Sequence, residues 1–466
     1  MSVSRIFDTL ACLAYFDIEA IIWGQNDFCS GFADARPDRL RRNGRGLFIN
    51  QLMPDNAQTE VLVVGAGPVG MLTALLLTQQ GVRTRIIDQE SRTATRSYAC
   101  ALHPASLSVL QRAGIVDAVL DLGRSIGTVG LYQGPARRAQ ARLSDLPGPY
   151  PFAVVLAQFL LEELLEEKLR AAGVHVEWHR RLREIQRGAG GVDAAIEKLA
   201  PSGRGDVIPE METSVPGSLQ VHADFVVGAD GHNSLLRQQL GIGTVRAGAP
   251  LLFNVYEIAT VEPVDHEMKL VLADSGLNVL WPMSDNRCRW SFQIVPAKTA
   301  ADFPQKDRAP LNIIRPPKDW ESILPLRRFL AERAPWFQTE IKDILWIAEV
   351  QFEPQLVLRF GEGRCWLAGD AAHQASPAGM HSMNLGLHEA ADLAGKLKSI
   401  LRDHADLDVL QDYDRLHRAE WKRLLGLKAP AQPPDGLSPW ALQHFSTLLA
   451  NLPASGDDLN SLLKKL

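Results

Sequence analysis

Cysteine is scarce in this chain. The 466 residues include five, Cys12, Cys29, Cys100, Cys288 and Cys365, and none falls in a C-x-x-C pair or at a metal-ligand spacing. Their scatter argues against a dithiol redox pair, a zinc site or a disulfide framework, and it fits a reducing, cytoplasmic compartment. Long apolar runs are also missing. Asp8, Asp17 and Glu19 interrupt the segment from Ile6 to Trp23, which therefore has neither the h-region of a signal peptide nor the length of a membrane span. Charge nearly balances at a net −5 with no long basic stretch, which sets nucleic acid aside as a partner. What remains is an ordinary apolar share of 46%, over a length sufficient for two or three domains. No internal repeat is visible.

Against that background one stretch stands out, Glu60 to Asp88. Val61 to Val64 reads as a fully buried parallel strand, because a strand covered on both faces is apolar throughout rather than alternating. Gly65, Gly67 and Gly70 follow in the spacing G-x-G-x-x-G, with Pro68 between them. An apolar helix runs from Met71 to Gln80, Gly81 stops it, and a second strand, Thr84 to Ile87, ends on Asp88. The glycines serve different ends. The first allows a tight turn off the strand, the second leaves room for a pyrophosphate, and the third lets helix pack closely on strand. The helix N-terminus suits a diphosphate. Asp88 lies 18 residues after Gly70, near the spacing of an acid that binds a ribose diol.

Elsewhere the pattern is coarser. Residues 1–57 combine an apolar patch with Arg36, Arg39, Arg41, Arg42 and Arg45 and show no clear period. They read as a poorly ordered extension, with Met53 as the expected natural start. Gln158 to Ala172 is an amphipathic helix whose Glu162, Glu163, Glu166 and Glu167 mark the wet face. Val174 to Ile185 and Gly191 to Leu199 read as paired strands, and Pro201 to Gly217 as a surface loop. Val221 to Gly231 is another buried strand running into a turn. From about Pro250 to Pro296 aromatic strands form a second, antiparallel layer. Helices follow at Glu321 to Trp336, Met383 to Leu401 and Val409 to Leu424. A strand spans Ile344 to Phe352, and the short buried strand Arg364 to Ala368 ends in Gly369-Asp370.

Three motifs now line up: Gly65 to Gly70; Gly228-Ala229-Asp230-Gly231 with Ser234 and Arg237; and Gly369-Asp370-Ala371-Ala372-His373, Pro377 and Met383-Asn384-Leu385-Gly386. Together they resemble the single-component FAD-dependent aromatic hydroxylases, the para-hydroxybenzoate hydroxylase-like flavoprotein monooxygenases, over residues 58–425. The resemblance implies an α/β protein with a Rossmann-like, glutathione-reductase-like FAD-binding domain, an inserted, mostly antiparallel β-sheet substrate domain and C-terminal helices. The FAD-binding domain would take residues 58–245 and 355–425, with substrate-domain strands inserted within 125–155 and 175–220. Residues 246–354 would form the substrate domain and 426–466 a helical tail. It further implies FAD-binding roles for Gly65, Gly67, Pro68, Gly70, Asp88, Arg96, Gln158, Asp230, Gly231, Gly369, Asp370, Pro377, Gly379, Met383 and Asn384. The family usually carries Gly-Gly-x-Gly-Met-Asn beside the flavin. Here Met380 and Ser382 replace two of those glycines, and His381 and Pro377 are the flavin-adjacent candidates.

The activity implied is NAD(P)H-dependent hydroxylation of an aromatic small molecule, phenolic or polyketide-like, by O2 through a flavin C4a-hydroperoxide. Asp88 would serve FAD and so does not choose between NADH and NADPH. Asn254, Tyr256, Trp281, Met283, Trp290, Phe292 and Phe352 lie on the candidate substrate-domain strands, and alternation puts Asn254 with Tyr256 and Trp290 with Phe292. No metal is expected. A halogenase- or reductase-like flavin enzyme and a non-catalytic flavin binder stay open as alternatives, although the W-x-W-x-I-P motif of the halogenases is absent. Substrate identity and oligomeric state are not written in the motifs.

Overall fold

The first sheet grows from the strand Asn56–Val64. Val61 to Val64 are buried almost completely, and parallel neighbours flank the strand on both sides, which is why the run has no polar alternation. In the computed structural model, residues 56–93, 101–199, 214–273, 276–295, 312–314, 323–427 and 432–466 are described. The chain divides into two units, Met1–Leu52 and Met53–Leu466, and every described residue lies in the second. The expected extension 1–57 therefore falls almost wholly outside the described residues. So do Arg96 and most of the loop 201–217.

Five strands of this sheet run parallel, in the spatial order Cys365–Leu367, Ser214–Gly228, Asn56–Val64, Thr84–Ile87, Val176–Glu177. Helix α1 (Pro68–Gln79) connects the third to the fourth. Gly67 is its N-cap, Pro68 pre-sets the first helical turn, and Gly81, at φ +76°, lets the chain leave. Helix α2 is Pro104–Ala113 and α3 is Gln158–Ala171. The strands Arg180–Arg187 and Val192–Leu199 pair with each other as expected, but they extend this sheet rather than the second one. That corrects the expectation of substrate-domain strands within 175–220. The reason is geometric: Cys365–Leu367 covers only Val226 to Gly228 of a 15-residue strand, so the edge before it is open for the hairpin.

The second sheet has eight strands in the order Asn312–Ile314, Ile341–Phe352, Leu251–Thr260, Arg287–Ile294, Gly276–Pro282, Glu267–Ala273, Thr128–Gln133, Ala136–Arg142. All pairs are antiparallel except Glu267–Ala273 with Thr128–Gln133. Helix α4 (Ile323–Arg333) packs its Leu326, Phe329 and Leu330 onto one face. On the other face, Leu277, Val279, Trp281 and Met283 join the main core, which also holds the first sheet. Helices α5 (His381–Asp403) and α6 (Val409–Leu424) follow, and α7 (Gly456–Leu463) lies near the C-terminus. None of the described helices is long and apolar enough to cross a membrane.

Candidate cofactor and active site

Register brings the three motifs together. Val64 is paired with Ile87 on one side and Gly228 on the other, and Gly228 is paired with Leu367. The turns that follow those residues, at Gly65, Asp88, Ala229 and Ala368, therefore emerge in one row at the carboxyl ends of the strands. Three backbone bonds stitch the row: Gly65 N to Ile87 O at 2.8 Å, Ala229 N to Val64 O at 2.7 Å and Ala368 N to Gly228 O at 2.9 Å. The chain leaves Asn56–Val64 for one neighbour directly and reaches the other only much later, so this row is a topological switch point, where open α/β sheets bind ligands.

The glycines of the first motif separate into two kinds. Gly65 holds φ +104°, and a Cβ there would lie 2.2 Å from Ala229 O; a Cβ on Gly70 would lie 1.9 Å from Gly65 O. Both are demanded by the protein's own packing. A Cβ on Gly67 would meet nothing within 4 Å. Nothing in the protein's own packing requires a bare backbone there. Two cavities meet at Gly67. One, of about 360 Å³, is lined by Asp88, Glu90, Arg92, Glu162 and Trp178; the other, of about 260 Å³, by Pro68, Gln158, Gly231, Asp370, Pro377 and Met383 among others.

Each polar group has a traceable role. Ala66 N donates to Asp88 Oδ2 at 2.5 Å and Glu90 N to Oδ1 at 2.8 Å, which fixes the carboxylate while leaving lone pairs toward the cavity. Asp230 Oδ2 accepts from Leu235 N at 2.7 Å and Leu236 N at 3.2 Å, whereas its Oδ1 is buried without a hydrogen-bond partner. Burial pushes the Asp230 carboxyl up, against the opposing pull of Ser234 and those backbone donors. Arg237 ties this turn to the third motif, donating to Ala371 O at 2.9 Å and His232 O at 2.7 Å. Asp370 is ringed by protein but open on its cavity side, and desolvation raises its carboxyl pKa. An extended chain of hydroxyls and phosphates fits these groups: an uncovered backbone at Gly67, the N-termini of α1 and α5, and acids awaiting donors.

Several expected residues do something else. Asn384 spends its amide on the backbone: Oδ1 accepts from His103 N at 2.7 Å, and Nδ2 donates to Ala101 O at 2.9 Å and Met380 O at 2.8 Å. It ties α5 to the segment before α2 and does not line the cavity. Gly379 also lies behind the cavity wall, where its carbonyl meets His103 Nε2 at 2.7 Å. His381 is buried against His103, and both its ring nitrogens lack partners; burial pushes its pKa down to about 4. Met380, in contrast, does line the cavity, and at φ +55° it holds a left-handed conformation that glycine adopts without cost. On the second sheet, Trp281 and Met283 share the main core with Ala378 and Met380 of the loop and Met383 of α5. Tyr256 and Phe292 face the other way, under α4, with Phe292 stacked on Phe329 at 4.9 Å. Asn254, beside Tyr256, is on that same outer face, while Phe352 reaches the cavity.

Two acids depart from the sequence expectation. Glu162, expected on the wet face, is buried, and its Oε1 accepts from Gln158 Nε2 at 2.7 Å. Gln158 itself lines the second cavity. Glu389 on α5 carries no motif signal, yet it is fully buried and gathers Gly369 N at 2.8 Å, His373 Nε2 at 2.9 Å and Trp421 Nε1 at 2.8 Å. His373 stacks on Trp421 at 3.8 Å and is structural. Burial alone would raise the Glu389 pKa, but His373, His417 and the Gly369 donor outweigh it, and the net shift is downward. Glu389→Ala is expected to cost about 3–5 kcal/mol in urea unfolding, because three buried donors lose their acceptor. The stabilisation is present above the ordinary carboxyl value of 4.5 and is lost as pH falls through the lowered folded value, so the wild type should lose more stability in acid than Glu389→Gln.

A family model described as an FAD binding domain matches residues 58–425. The chain belongs to this family, the para-hydroxybenzoate hydroxylase-like flavoproteins. It is 31% identical over 368 residues to 6-methylpretetramide 4-monooxygenase of Streptomyces rimosus, covering 78% of this chain and 59% of that protein. It is 25% identical to pentachlorophenol 4-monooxygenase of Sphingobium chlorophenolicum, covering 77% of this chain and 61% of that one. The chain thus spans about three-fifths of the length of these two relatives. Its fold matches p-nitrophenol 4-monooxygenase of Pseudomonas putida DLL-E4 with a TM-score of 0.65 at 19% identity, covering 88% of this chain and 98% of that one. It also matches an aklavinone-11 hydroxylase solved with FAD and aklavinone, with a TM-score of 0.59 at 23% identity, covering 79% of this chain and 67% of that one. Among the described residues no cluster of His, Cys, Asp and Glu is arranged to hold a metal ion.

Proposed function

We propose that this chain is an FAD-dependent monooxygenase that consumes NADPH or NADH and places one oxygen atom from O2 on an aromatic small molecule, phenolic or polyketide-like. The observation that carries the reading is the junction at Gly67, where the cavity of about 360 Å³ beside Asp88 meets a second cavity running past Asp370 to the Pro377 loop and Phe352. The relatives described above carry the names of ring compounds such as pentachlorophenol, which supports the substrate class. Bound FAD would supply the electron transfer and oxygen activation. The protein's own work is placement. Asp88 and the α1 N-terminus would hold the adenosine and diphosphate portion, and Gln158 and Asp370 would accept from hydroxyls of the linking chain. The N-terminus of α5 would present its positive end to the flavin, favouring negative charge there. Apolar groups at Pro377, Met380, Met383 and Phe352 would exclude water from the reacting face.

The test is NAD(P)H consumption in air by the FAD-loaded protein, with and without a panel of phenols and polycyclic aromatics, with products weighed by mass spectrometry. A compound that accelerates consumption and gains one oxygen atom establishes the activity and its substrate class. Failure of NADPH and NADH to reduce the bound flavin anaerobically, with or without the panel compounds, would overturn it in favour of flavin binding without monooxygenation.

A further inference from the structure

The turn Pro377–Gly379, whose Pro377 lines the second cavity, is gripped from behind by the C-terminal segment 432–466. That segment lies outside the stretch matched by the family model, residues 58–425. Helix Phe445–Asn451 packs on the turn. At the start of the turn, Ser376 Oγ donates to Asn451 Oδ1 at 2.9 Å, while Asn451 Nδ2 donates to Thr447 O at 2.7 Å. The second bond fixes the amide, so that its carbonyl oxygen must face Ser376. At the end of the turn, His103 bridges. Its Nε2 lies 2.7 Å from Gly379 O, and its Nδ1 lies 2.7 Å from Ser455 Oγ. A carbonyl only accepts, so Nε2 carries the proton and Nδ1 accepts from the serine hydroxyl. Burial holds this imidazole neutral, which keeps the assignment single. Between the two anchors there is no slack: a Cβ on Gly379 would come within 3.0 Å of Ala450 O. Asn451, Ser455 and His103 are all at most 5% exposed.

We propose that the C-terminal segment sets the position of the flavin loop, with Asn451 and the His103–Ser455 pair as positioning residues for the bound FAD. The proposal rests on the FAD reading above. None of these side chains lines the cavity, so they act through the Ser376–Gly379 backbone. A shift of the loop by a fraction of an ångström would change its contact with the flavin, and such a site tolerates about 0.5 Å.

The experiment titrates FAD into apo Asn451→Ala, Ser455→Ala and Ser455→Thr, reading flavin fluorescence and the visible absorption envelope, and measures Tm with and without FAD. Each alanine variant should bind FAD about tenfold more weakly, the effect of one lost hydrogen bond. It should also alter the bound-flavin spectrum and lose more Tm as holoprotein than as apoprotein. Ser455→Thr keeps the hydroxyl and should recover wild-type affinity and spectrum. Unchanged affinity and spectrum, with equal losses of apo and holo Tm, would overturn the proposal and leave the segment as packing alone. Should Asn451→Ala fail to fold, the two Ser455 variants carry the same decision. Wild-type protein that binds no FAD would instead defeat the cofactor reading, and this proposal with it.

Discussion

Gly67→Ala should leave the apoprotein folded, within about 1 kcal/mol of wild type, and should weaken FAD binding on the order of 100-fold. Gly65→Ala and Gly70→Ala should fail one step earlier, by losing the fold. The contrast follows from what each added methyl would meet. At Gly67 it meets no protein atom within 4 Å, and the backbone φ of −72° suits any residue, so the empty protein barely registers the change beyond a poorer N-cap. Only a ligand crossing that backbone would be displaced. At Gly65 the methyl would press on Ala229 O at 2.2 Å from a backbone at φ +104°, and at Gly70 on Gly65 O at 1.9 Å. Backbone atoms in a stitched row of strand ends cannot yield cheaply, so each should cost more than about 4 kcal/mol, a large part of a typical domain's margin. Urea unfolding of the apoproteins and calorimetric titration of FAD read the two quantities separately. Tight FAD binding by Gly67→Ala would mean that no diphosphate passes over this turn, and the dinucleotide reading of the first motif would fall.

What is legible in the sequence is what local chemistry decides. The Val61 to Asp88 unit can be read because strand, turn, helix and strand are consecutive, and each glycine answers a constraint within a few residues or across one neighbouring strand. The second and third motifs can be placed beside it through the family resemblance, and the parallel register then accounts for their meeting. Contacts across long sequence separations are not legible. Asn384 looks like a flavin residue by its place in a motif, yet its partners are His103 and Ala101, some 281 and 283 residues earlier. Glu389 gives no local signal, because its value lies in three donors from two other segments, Gly369 and His373 in the third motif and Trp421 on α6. Glu162 escapes the pattern because helical periodicity describes a helix on a flat core, whereas the first turn of α3 sits over a cavity. On the second sheet, alternation correctly puts Asn254 with Tyr256 and Trp290 with Phe292. It cannot show that cross-strand pairing sets Asn254 opposite Phe292 and Tyr256 opposite Trp290, so both sets share one face. Nor can it show that α4 covers that face. Period two fixes which residues travel together and says nothing of which layer meets the cofactor.

Asp370→Asn should separate stability from cofactor binding in opposite directions. Burial raises the Asp370 carboxyl above its ordinary value of 3.8 in the folded protein. Such a group lends stability below that ordinary value and loses it as pH rises through the raised one, so at neutral pH the ionised carboxylate burdens the empty fold. Replacing it with the neutral, isosteric amide should leave the apo Tm at neutral pH unchanged or higher. FAD binding should fall about 10- to 100-fold, because a charge-assisted acceptor for a hydroxyl becomes a neutral one. A pH signature follows from the same linkage. A ligand that donates to the carboxylate favours its ionised form, so wild-type affinity should weaken as pH falls through the raised pKa, and the asparagine variant should lack that component. The difference between the two profiles of affinity against pH isolates Asp370 from other titrating groups. Coincident profiles with equal affinities would show that Asp370 does not touch the cofactor. The third motif would then be a strand-end turn held by Glu389, and the polyol acceptor would have to be sought at Gln158 and at the unpaired oxygen of Asp230.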